Sequence, residues 1–234
     1  MLGVITAVTD ERDAVLERMS DSQTHVVYGI EFYEGTIRDT RCIMAMAGIG
    51  KVNAARCTQL MIDRFMPERI VNLGAAGALH PNVRIGDVVI STACIQHDLD
   101  LTVFGLRKGF LSETEGFIPA DPEMIALCAQ AMAQTIDDRF RIWNGPIATG
   151  DQFNDSAARK EELYQEFGAY CIEMEGAAVA QVCALCQVPF VVIRSISDQP
   201  DDDDALNLYE TFKCQASGRC ATFLENLAAT LQAT

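Results

Sequence analysis

The stretch YCIEMEGAAVAQVCALCQVPFVVIRSISD, residues 170–198, decides the fold class. A short apolar run at 170–172 leads into two glutamates, and a segment that is apolar almost all round follows from Ala177 to Leu185. A helix that is apolar on every side is a buried helix. The run PFVVIRSIS at 189–197 has the pattern of a buried strand. This strand–helix–strand order predicts an α/β fold, in which an acid, Glu175, begins the buried helix.

The same alternation of strand-like and helix-like runs continues along all 234 residues. It predicts a largely parallel sheet with helices on both faces. No stretch rich in proline, glycine or serine divides the chain, so we expect one domain over residues 1–234. The predicted strands are 2–8, 25–37, 41–47, 69–73, 86–95, 141–149 and 189–197. The predicted helices are 10–19, 51–65, 121–135, 156–167 and one from about residue 205, with an extended loop at 97–120.

Composition narrows the class of protein. Apolar residues make up 49% and charged residues 22%, which is enough for a large core. The formal net charge of −15 argues against a nucleic-acid partner, which a basic surface would have to bind. No window approaches the roughly 18 apolar residues of a membrane span, and the N-terminus lacks the basic segment of a signal peptide. We therefore expect no membrane partner, and a cytoplasmic protein whose nine cysteines are reduced.

Acidic residues follow several of the predicted strands, at the edge of the sheet where α/β proteins bind their ligands. The residues at these strand ends are Glu11, the glycine turn at 74–77, Phe153, Glu173 with Glu175, and Asp198. Each acid alone has an ordinary explanation, because a carboxylate at a helix start is stabilised by roughly 0.3–1 kcal/mol. Together, beside a glycine turn that exposes backbone, they predict a ligand site.

The surroundings of these acids predict different protonation states. We expect the helix dipole to keep Glu175 ionised, as an acceptor that can hold a pair of hydroxyls. Asp198 ends an apolar strand with little to stabilise its charge, so its pKa is expected to rise until it can donate a proton. Cleavage of a glycosidic bond needs such a set of carboxyls, one to protonate the leaving group and one to activate water.

Eight stretches, spread along nearly the whole chain, carry a family resemblance. They are GVITAVTDE, AGIGKVNAA, NLGAAGAL, IGDVVIS, HDLDLTVFG, TGDQF, IEMEGAAVAQVC and VPFVVIRSISD. The sequence resembles the 5'-methylthioadenosine/S-adenosylhomocysteine nucleosidases, within the nucleoside phosphorylase superfamily. The resemblance implies a nucleoside phosphorylase-like α/β fold with a mixed, partly barrel-like sheet. It also implies a hydrolase that releases adenine from its nucleoside substrate without a cofactor or a metal.

The resemblance assigns a role to each acid. Glu11 lies where the family has its general base for water, and Asp198 lies where the family has the acid that protonates adenine N7. Glu175 matches the glutamate that holds the ribose hydroxyls, which would explain why an acid begins the buried helix. Arg194 corresponds to an arginine near the attacking water.

Further positions match the family's substrate pocket. Phe153 corresponds to the aromatic residue that stacks on the purine, and the backbone of Asn154 to the segment that reads a base edge. Met174 would pack under the sugar. The remaining implied pocket positions are Ala76, Gly77 and Ser197, together with Ile49, Val8 and Tyr209 at the apolar 5' end.

The resemblance also implies a homodimer. In the family, the loop that matches HDLDLTVFG reaches the pocket of the neighbouring subunit. We therefore expect Leu101, Phe104 and Leu106 to face the 5'-alkylthio group bound by the other subunit.

The glycine turn bears on the choice between hydrolysis and phosphorolysis. Superfamily phosphorylases hold phosphate with an arginine and a serine around this turn, where the present chain has Asn72 and Ala75. A dianion needs charge-assisted donors, so water activated by Glu11 is the expected nucleophile. Two alternatives stay open: a phosphate-dependent purine nucleoside phosphorylase, and a cytosolic sensor that binds a nucleoside without cleaving it. Ala75 favours the sensor, because the hydroxyl missing there normally helps to place the water.

Overall fold

Ten strands form one mixed sheet in a computed structural model of the protein, which describes residues 1–111, 115–133, 140–199 and 205–232. The strands are β1 (Leu2–Thr6), β2 (Ser20–Val27), β3 (Ile30–Ile37), β4 (Thr40–Met46), β5 (Arg69–Ala78), β6 (Val88–Gln96), β7 (Ile118–Pro119), β8 (Ile142–Thr149), β9 (Cys171–Glu173) and β10 (Phe190–Asp198). The helices are α1 (Thr9–Leu16), α2 (Lys51–Phe65), α3 (Pro122–Ala133), α4 (Ala157–Phe167), α5 (Gly176–Leu185) and α6 (Ala205–Gln232).

Strand β5 organises the sheet. One edge of β5 pairs with β10 along its length, and the other edge pairs first with β1 and then, at Gly77 and Ala78, with β9. Because β10 pairs with β6, β6 with β8, and β8 with β9, these strands return to β5 and close part of the sheet. Strands β4, β3 and β2 extend from β1 on the open side. The predicted single α/β domain with a mixed, partly barrel-like sheet is therefore confirmed.

Strand β10 is buried at all nine positions, and its two faces contact different helices. Val191 and Ile193 lie in the cluster that contains the apolar face of α6. Val192 and Ile196 lie in the cluster that contains the small residues of α5 and the inner face of α2. This alternation follows from the period of two along a strand. Strand β10 is thus held between two helical layers, as its apolar pattern predicts.

The sequence-based prediction of one strand at 25–37 was wrong. The chain forms two strands there, β2 and β3, joined by a hairpin turn at Tyr28 and Gly29, whose φ angles are 47° and 83°. Positive φ at both central residues is typical of the two-residue turns that match the twist of antiparallel strands. A tyrosine rarely takes this conformation, so VYGI reads as continuous strand in the sequence.

Other boundaries moved by a few residues. The glycine-containing segment at 74–77 was expected to be a turn, but β5 continues through it as a strand. The expected loop at 97–120 contains a single helical turn at Thr102–Phe104 and the two-residue strand β7. The last two residues of the helix predicted at 121–135 lie outside the described residues. Within the described ranges, none of the helices combines the length and apolar character needed to cross a bilayer.

Candidate active site

A pocket lies at the carboxyl ends of β1, β9 and β10, where the sequence predicts it. Ten of the eleven same-chain residues predicted as catalytic or substrate-binding line this pocket: Glu11, Ile49, Ala76, Gly77, Phe153, Asn154, Met174, Glu175, Ser197 and Asp198. Val8 and Tyr209 also line it, as predicted for its apolar end. Arg194 lies beside the pocket and reaches its acids through hydrogen bonds and ion pairs.

Glu11 is buried at the start of α1, and its carboxylate is held by three backbone groups. The Ala7 and Val8 amides donate to Oε2 at 2.8 and 3.3 Å, and the Ala75 amide donates to Oε1 at 3.0 Å. Burial raises the pKa of Glu11, although Arg194 and these amides act in the opposite direction. A fixed carboxyl with a raised pKa suits a general base near neutral pH.

Arg194 joins the acids of the pocket into one cluster. Its Nη2 donates to a carboxylate oxygen of Glu173 and, at 2.6 Å, to Oδ1 of Asn72. The same nitrogen lies 3.9 Å from Oε2 of Glu175. Burial opposes its charge, but the carboxylates of Glu173, Glu175 and Glu11 outweigh burial and raise the pKa of Arg194. The guanidinium is therefore a permanent cation beneath the pocket.

Glu173 holds this cluster in place through its hydrogen bonds. The sequence did not indicate this structural role. Its Oε2 accepts hydrogen bonds from the Glu175 and Gly176 amides at 2.9 and 2.7 Å, which caps the N-terminus of α5. Its Oε1 accepts a hydrogen bond from the Thr149 hydroxyl. Arg194 is also bonded to it, so both carboxylate oxygens of Glu173 already have hydrogen-bond partners within the protein.

Glu175 also lines the pocket, and it has fewer partners within the protein than Glu173. Its Oε1 accepts a hydrogen bond from the Gly50 amide at 2.8 Å, and its own side chain makes no capping bond to α5. Burial, reinforced by the charge of Glu173, raises the pKa of Glu175 to about 7. The prediction that the helix dipole lowers the pKa of this acid was wrong, because burial and a neighbouring carboxylate outweigh the dipole.

Asp198 ends β10 and is buried with a cation beside it. Nζ of Lys160, on α4, donates to Oδ1 of Asp198 at 2.5 Å, and the Ser197 hydroxyl lies 3.2 Å from Oδ2. The expectation that little stabilises the charge of Asp198 was wrong for this reason. Nothing in the sequence AARKEELYQEF at 157–167 distinguishes Lys160 from the surface charges of an ordinary amphipathic helix.

The glycines of the 74–77 segment make room for these groups. A Cβ at position 74 would lie 2.5 Å from Nη1 of Arg194 and 2.8 Å from Oε1 of Glu11. A Cβ at position 77 would lie 2.7 Å from Oδ1 of Asp198. The segment is rich in glycine because charged side chains pack directly against the strand.

A polar network fixes the loops at the pocket mouth. Nζ of Lys51 donates to Oδ1 of Asp98 at 2.6 Å, and the Asp151 amide donates to Oδ2 of Asp98 at 2.9 Å. The Lys51 amide donates in turn to Oδ1 of Asp151 at 2.8 Å. This network holds the loop that carries Gly50, the donor to Glu175, against the loop that carries Phe153. The sequence predictions missed it.

The aromatic side of the pocket is more open. Phe153 is 48% exposed, and its ring meets that of Tyr209 edge to face at a centroid distance of 5.9 Å. Leu101, Phe104 and Leu106, predicted to serve a neighbouring subunit, do not line the pocket of their own chain among the residues that the structure describes. Phe104 is 76% exposed.

The partly closed sheet, with an acidic pocket at its strand ends, defines an α/β protein with a nucleoside phosphorylase-like fold, and comparison with known proteins agrees. The family model described as "Phosphorylase superfamily" matches residues 1–229. The 5'-methylthioadenosine/S-adenosylhomocysteine nucleosidase of Bacillus subtilis (strain 168) is 39% identical over 198 residues, which cover 84% of this chain and 85% of the relative.

Two solved structures from Helicobacter pylori are similar with a TM-score of 0.91 each. Futalosine hydrolase of strain 26695 is 33% identical, with 97% of both chains covered. A nucleosidase mutant with 5'-methylthioadenosine in its active site is 32% identical, with 100% of this chain and 98% of that chain covered. The chain therefore belongs to the 5'-methylthioadenosine/S-adenosylhomocysteine nucleosidase family, whose members are N-glycosyl hydrolases, and the resemblance in the sequence is confirmed.

Proposed function

We propose that the chain hydrolyses the N-glycosidic bond of 5'-methylthioadenosine, S-adenosylhomocysteine or both, and releases adenine. One observation carries the proposal: Glu11, Glu175 and Asp198 come from distant parts of the chain and line one pocket. The names of the relatives support the choice of substrate.

Each acid has a task in the proposed reaction. Asp198 donates a proton to adenine N7, and the electron pair of the breaking C–N bond passes to the purine. Glu175 accepts hydrogen bonds from the ribose hydroxyls, and its carboxylate is closest to the positive charge that builds on the sugar. Glu11 takes a proton from the attacking water.

Glu11 lines the pocket, and we place the attacking water there, where it donates a hydrogen bond to this carboxylate. Arg194 and Glu11 both pack against Gly74, where an added Cβ would lie 2.5 Å from Nη1 and 2.8 Å from Oε1. The lack of a side chain at position 74 lets the cation and the proposed base pack against the strand.

The contacts of the 74–77 segment favour hydrolysis over phosphorolysis. A phosphate would need backbone amides and cations directed at it, but Oε1 of Glu11 accepts the Ala75 amide hydrogen bond. Asn72 is buried, and its Oδ1 accepts a hydrogen bond from Arg194. An incoming dianion would meet the carboxylate of Glu11 at close range and be repelled.

We further propose that the enzyme acts as a homodimer. The expected contribution of Leu101, Phe104 and Leu106 to a neighbouring subunit's pocket fits their position outside their own. The exposed ring of Phe104 supports this proposal.

The test is to mix the protein with 5'-methylthioadenosine, with and without inorganic phosphate, and to measure free adenine. Release that is independent of phosphate supports the hydrolase. Release only with phosphate supports the phosphorylase, and tight binding without release supports the sensor. Parallel assays with S-adenosylhomocysteine and futalosine rank the substrates, because both nucleosidase and futalosine hydrolase structures are similar to this fold.

A further inference from the structure

Lys160 is a buried cation that the proposed reaction does not use. Its side chain is 0% exposed. Among the lysines and arginines of the described residues, only Arg194 is buried to a similar degree. It lies on α4 one turn from the buried Leu163, whereas its neighbours Arg159 and Glu161 face solvent. A lysine is almost never fully buried unless it is paired.

The partners of Lys160 are at the end of β10. Nζ donates to Oδ1 of Asp198 at 2.5 Å and to the carbonyl oxygen of Gln199 at 2.8 Å. Lys160 does not line the pocket, whereas Asp198 does. The ammonium therefore contacts the back of the carboxyl group whose front faces the ligand space. Ser197 provides a second contact, on Oδ2.

We propose that Lys160 is a positioning residue, which holds Asp198 in the orientation that delivers a proton to the purine. This proposal rests on the proposed function and adds a residue to it. As the proton moves from Asp198 to N7 and the C–N bond breaks, the carboxyl becomes a carboxylate. The fixed ammonium, itself buried beside the buried Asp198, stabilises that new charge. Lys160 thus acts through Asp198 and touches no reacting atom.

A pair of substrates separates this role from a merely structural one. 5'-Methylthioadenosine needs leaving-group protonation, whereas 4-nitrophenyl 5-methylthio-β-D-ribofuranoside releases a stable phenolate that needs no proton. Lys160→Met should lower kcat for adenine release by about 10²-fold, the scale of a misplaced catalytic group. Its KM should change little, and its turnover of the nitrophenyl substrate should stay near that of the unmodified chain.

Lys160→Gln and Arg159→Met complete the design. Glutamine keeps a donor but loses the charge, so its turnover of 5'-methylthioadenosine should fall between those of Lys160→Met and the unmodified chain. Arg159→Met removes a cation from the adjacent, solvent-facing position of α4 and should leave both activities unchanged. Thermal melting checks that each variant is folded.

Two outcomes would overturn the role of Lys160: equal loss of both activities in a folded Lys160→Met, or full adenine release by it. If that variant does not fold, Lys160→Arg decides. It keeps the positive charge, and retained adenine release supports the proposal, whereas equal loss with both substrates contradicts it. If the unmodified chain releases no adenine, the proposed function fails, and the role of Lys160 fails with it.

Discussion

Glu173 and Glu175 are two positions apart and both line the pocket, yet their carboxylates have different partners. That of Glu173 caps α5 and binds Arg194, while that of Glu175 accepts one backbone hydrogen bond, from Gly50. The sequence places both acids at the start of a buried helix. It does not indicate which one caps the helix, because that depends on side-chain direction and on Arg194, which is 21 residues from Glu173.

The raised pKa of Glu175 predicts a gain in stability for Glu175→Gln at high pH. Its pKa lies above the ordinary value of 4.5, so the folded protein binds more protons than the unfolded chain between about pH 4.5 and about pH 7. The contribution of Glu175 to the free energy of unfolding therefore falls as pH rises through this window. Glutamine does not titrate, so the variant should be more stable than the unmodified protein at pH 8. Urea unfolding at pH 8 and pH 5 measures the difference.

The stability gain of Glu175→Gln should shrink at pH 5, and a pH-independent difference would contradict the assignment of the titration. The same variant should raise KM and lower kcat for 5'-methylthioadenosine, since the ribose contact strengthens as positive charge develops. An effect confined to stability would instead support a purely structural role for this acid.

Asp198→Asn should remove adenine release while leaving substrate binding partly intact. An amide cannot donate its proton to N7 as a carboxylic acid does, and loss of a general acid costs about 10²–10⁴-fold in rate. Single-turnover adenine release and equilibrium binding of 5'-methylthioadenosine separate the two effects. Asp121→Asn, which alters an acid that accepts a hydrogen bond from the Met124 amide at the start of α3, is the control. Near-full activity in Asp198→Asn would show that another group is the acid.

The elements between these residues were predictable to different degrees. Apolar runs such as 189–197 are buried strands as expected, because a segment that is apolar at every position is stable only in the interior of the fold. The hairpin at Tyr28 and Gly29 was missed because it depends on a φ value that tyrosine rarely adopts. Strand β5 was predicted too short, because glycines in a sequence usually indicate a turn. Here they are needed for a different reason: the side chains of Glu11, Arg194 and Asp198 pack directly against them.

The loops at the pocket mouth are expected to depend on Asp98. Its carboxylate accepts hydrogen bonds from Nζ of Lys51 and from the Asp151 amide, and so connects three segments. Asp98→Asn should raise KM several-fold with a smaller change in kcat, because Gly50 and Phe153 become less well placed while Glu11 and Asp198 keep their contacts. Steady-state kinetics with 5'-methylthioadenosine measure this split.

Asp100→Asn is the matched control for Asp98→Asn. Asp100 lies on the same segment but accepts hydrogen bonds only locally, from the Thr102 amide and hydroxyl, among the described contacts. Its KM should stay near that of the unmodified protein. If both variants raise KM equally, the effect belongs to the whole segment, and the hydrogen bonds of Asp98 are not what positions the pocket loops.

At the scale of the whole molecule, the sequence located the pocket but not its supporting contacts. The lining residues follow strand ends, and strand ends can be recognised from apolar runs and glycines. Lys160 and Asp198 are 38 residues apart, and Lys51 and Asp98 are 47 apart. Charged side chains on helices and loops are usually solvated, so such pairs are visible only once the sheet has brought their segments together.

Exposed apolar side chains predict association between copies of the chain. Val103 and Phe104 are 85% and 76% exposed on the loop after β6, and Ile49, which lines the pocket, is 56% exposed. Exposed large apolar side chains at adjacent positions are typical of an interaction site. We expect a homodimer in which Phe104 enters the interface. Phe104→Asp should therefore weaken association and raise KM for 5'-methylthioadenosine, because a partner's loop would no longer cover the 5' end of the substrate.

Met66→Asp is the control for the dimer prediction. Met66 is 78% exposed, but it follows the far end of the 15-residue helix α2, about 22 Å along the helix axis from Lys51 at the pocket mouth. Analytical ultracentrifugation should show Phe104→Asp dissociating at concentrations where Met66→Asp and the unmodified chain remain dimeric. A monomeric unmodified chain would contradict the homodimer. A dimeric Phe104→Asp with unchanged KM would place the interface elsewhere and leave the 5' end of the pocket to Ile49 and Tyr209 of the same chain.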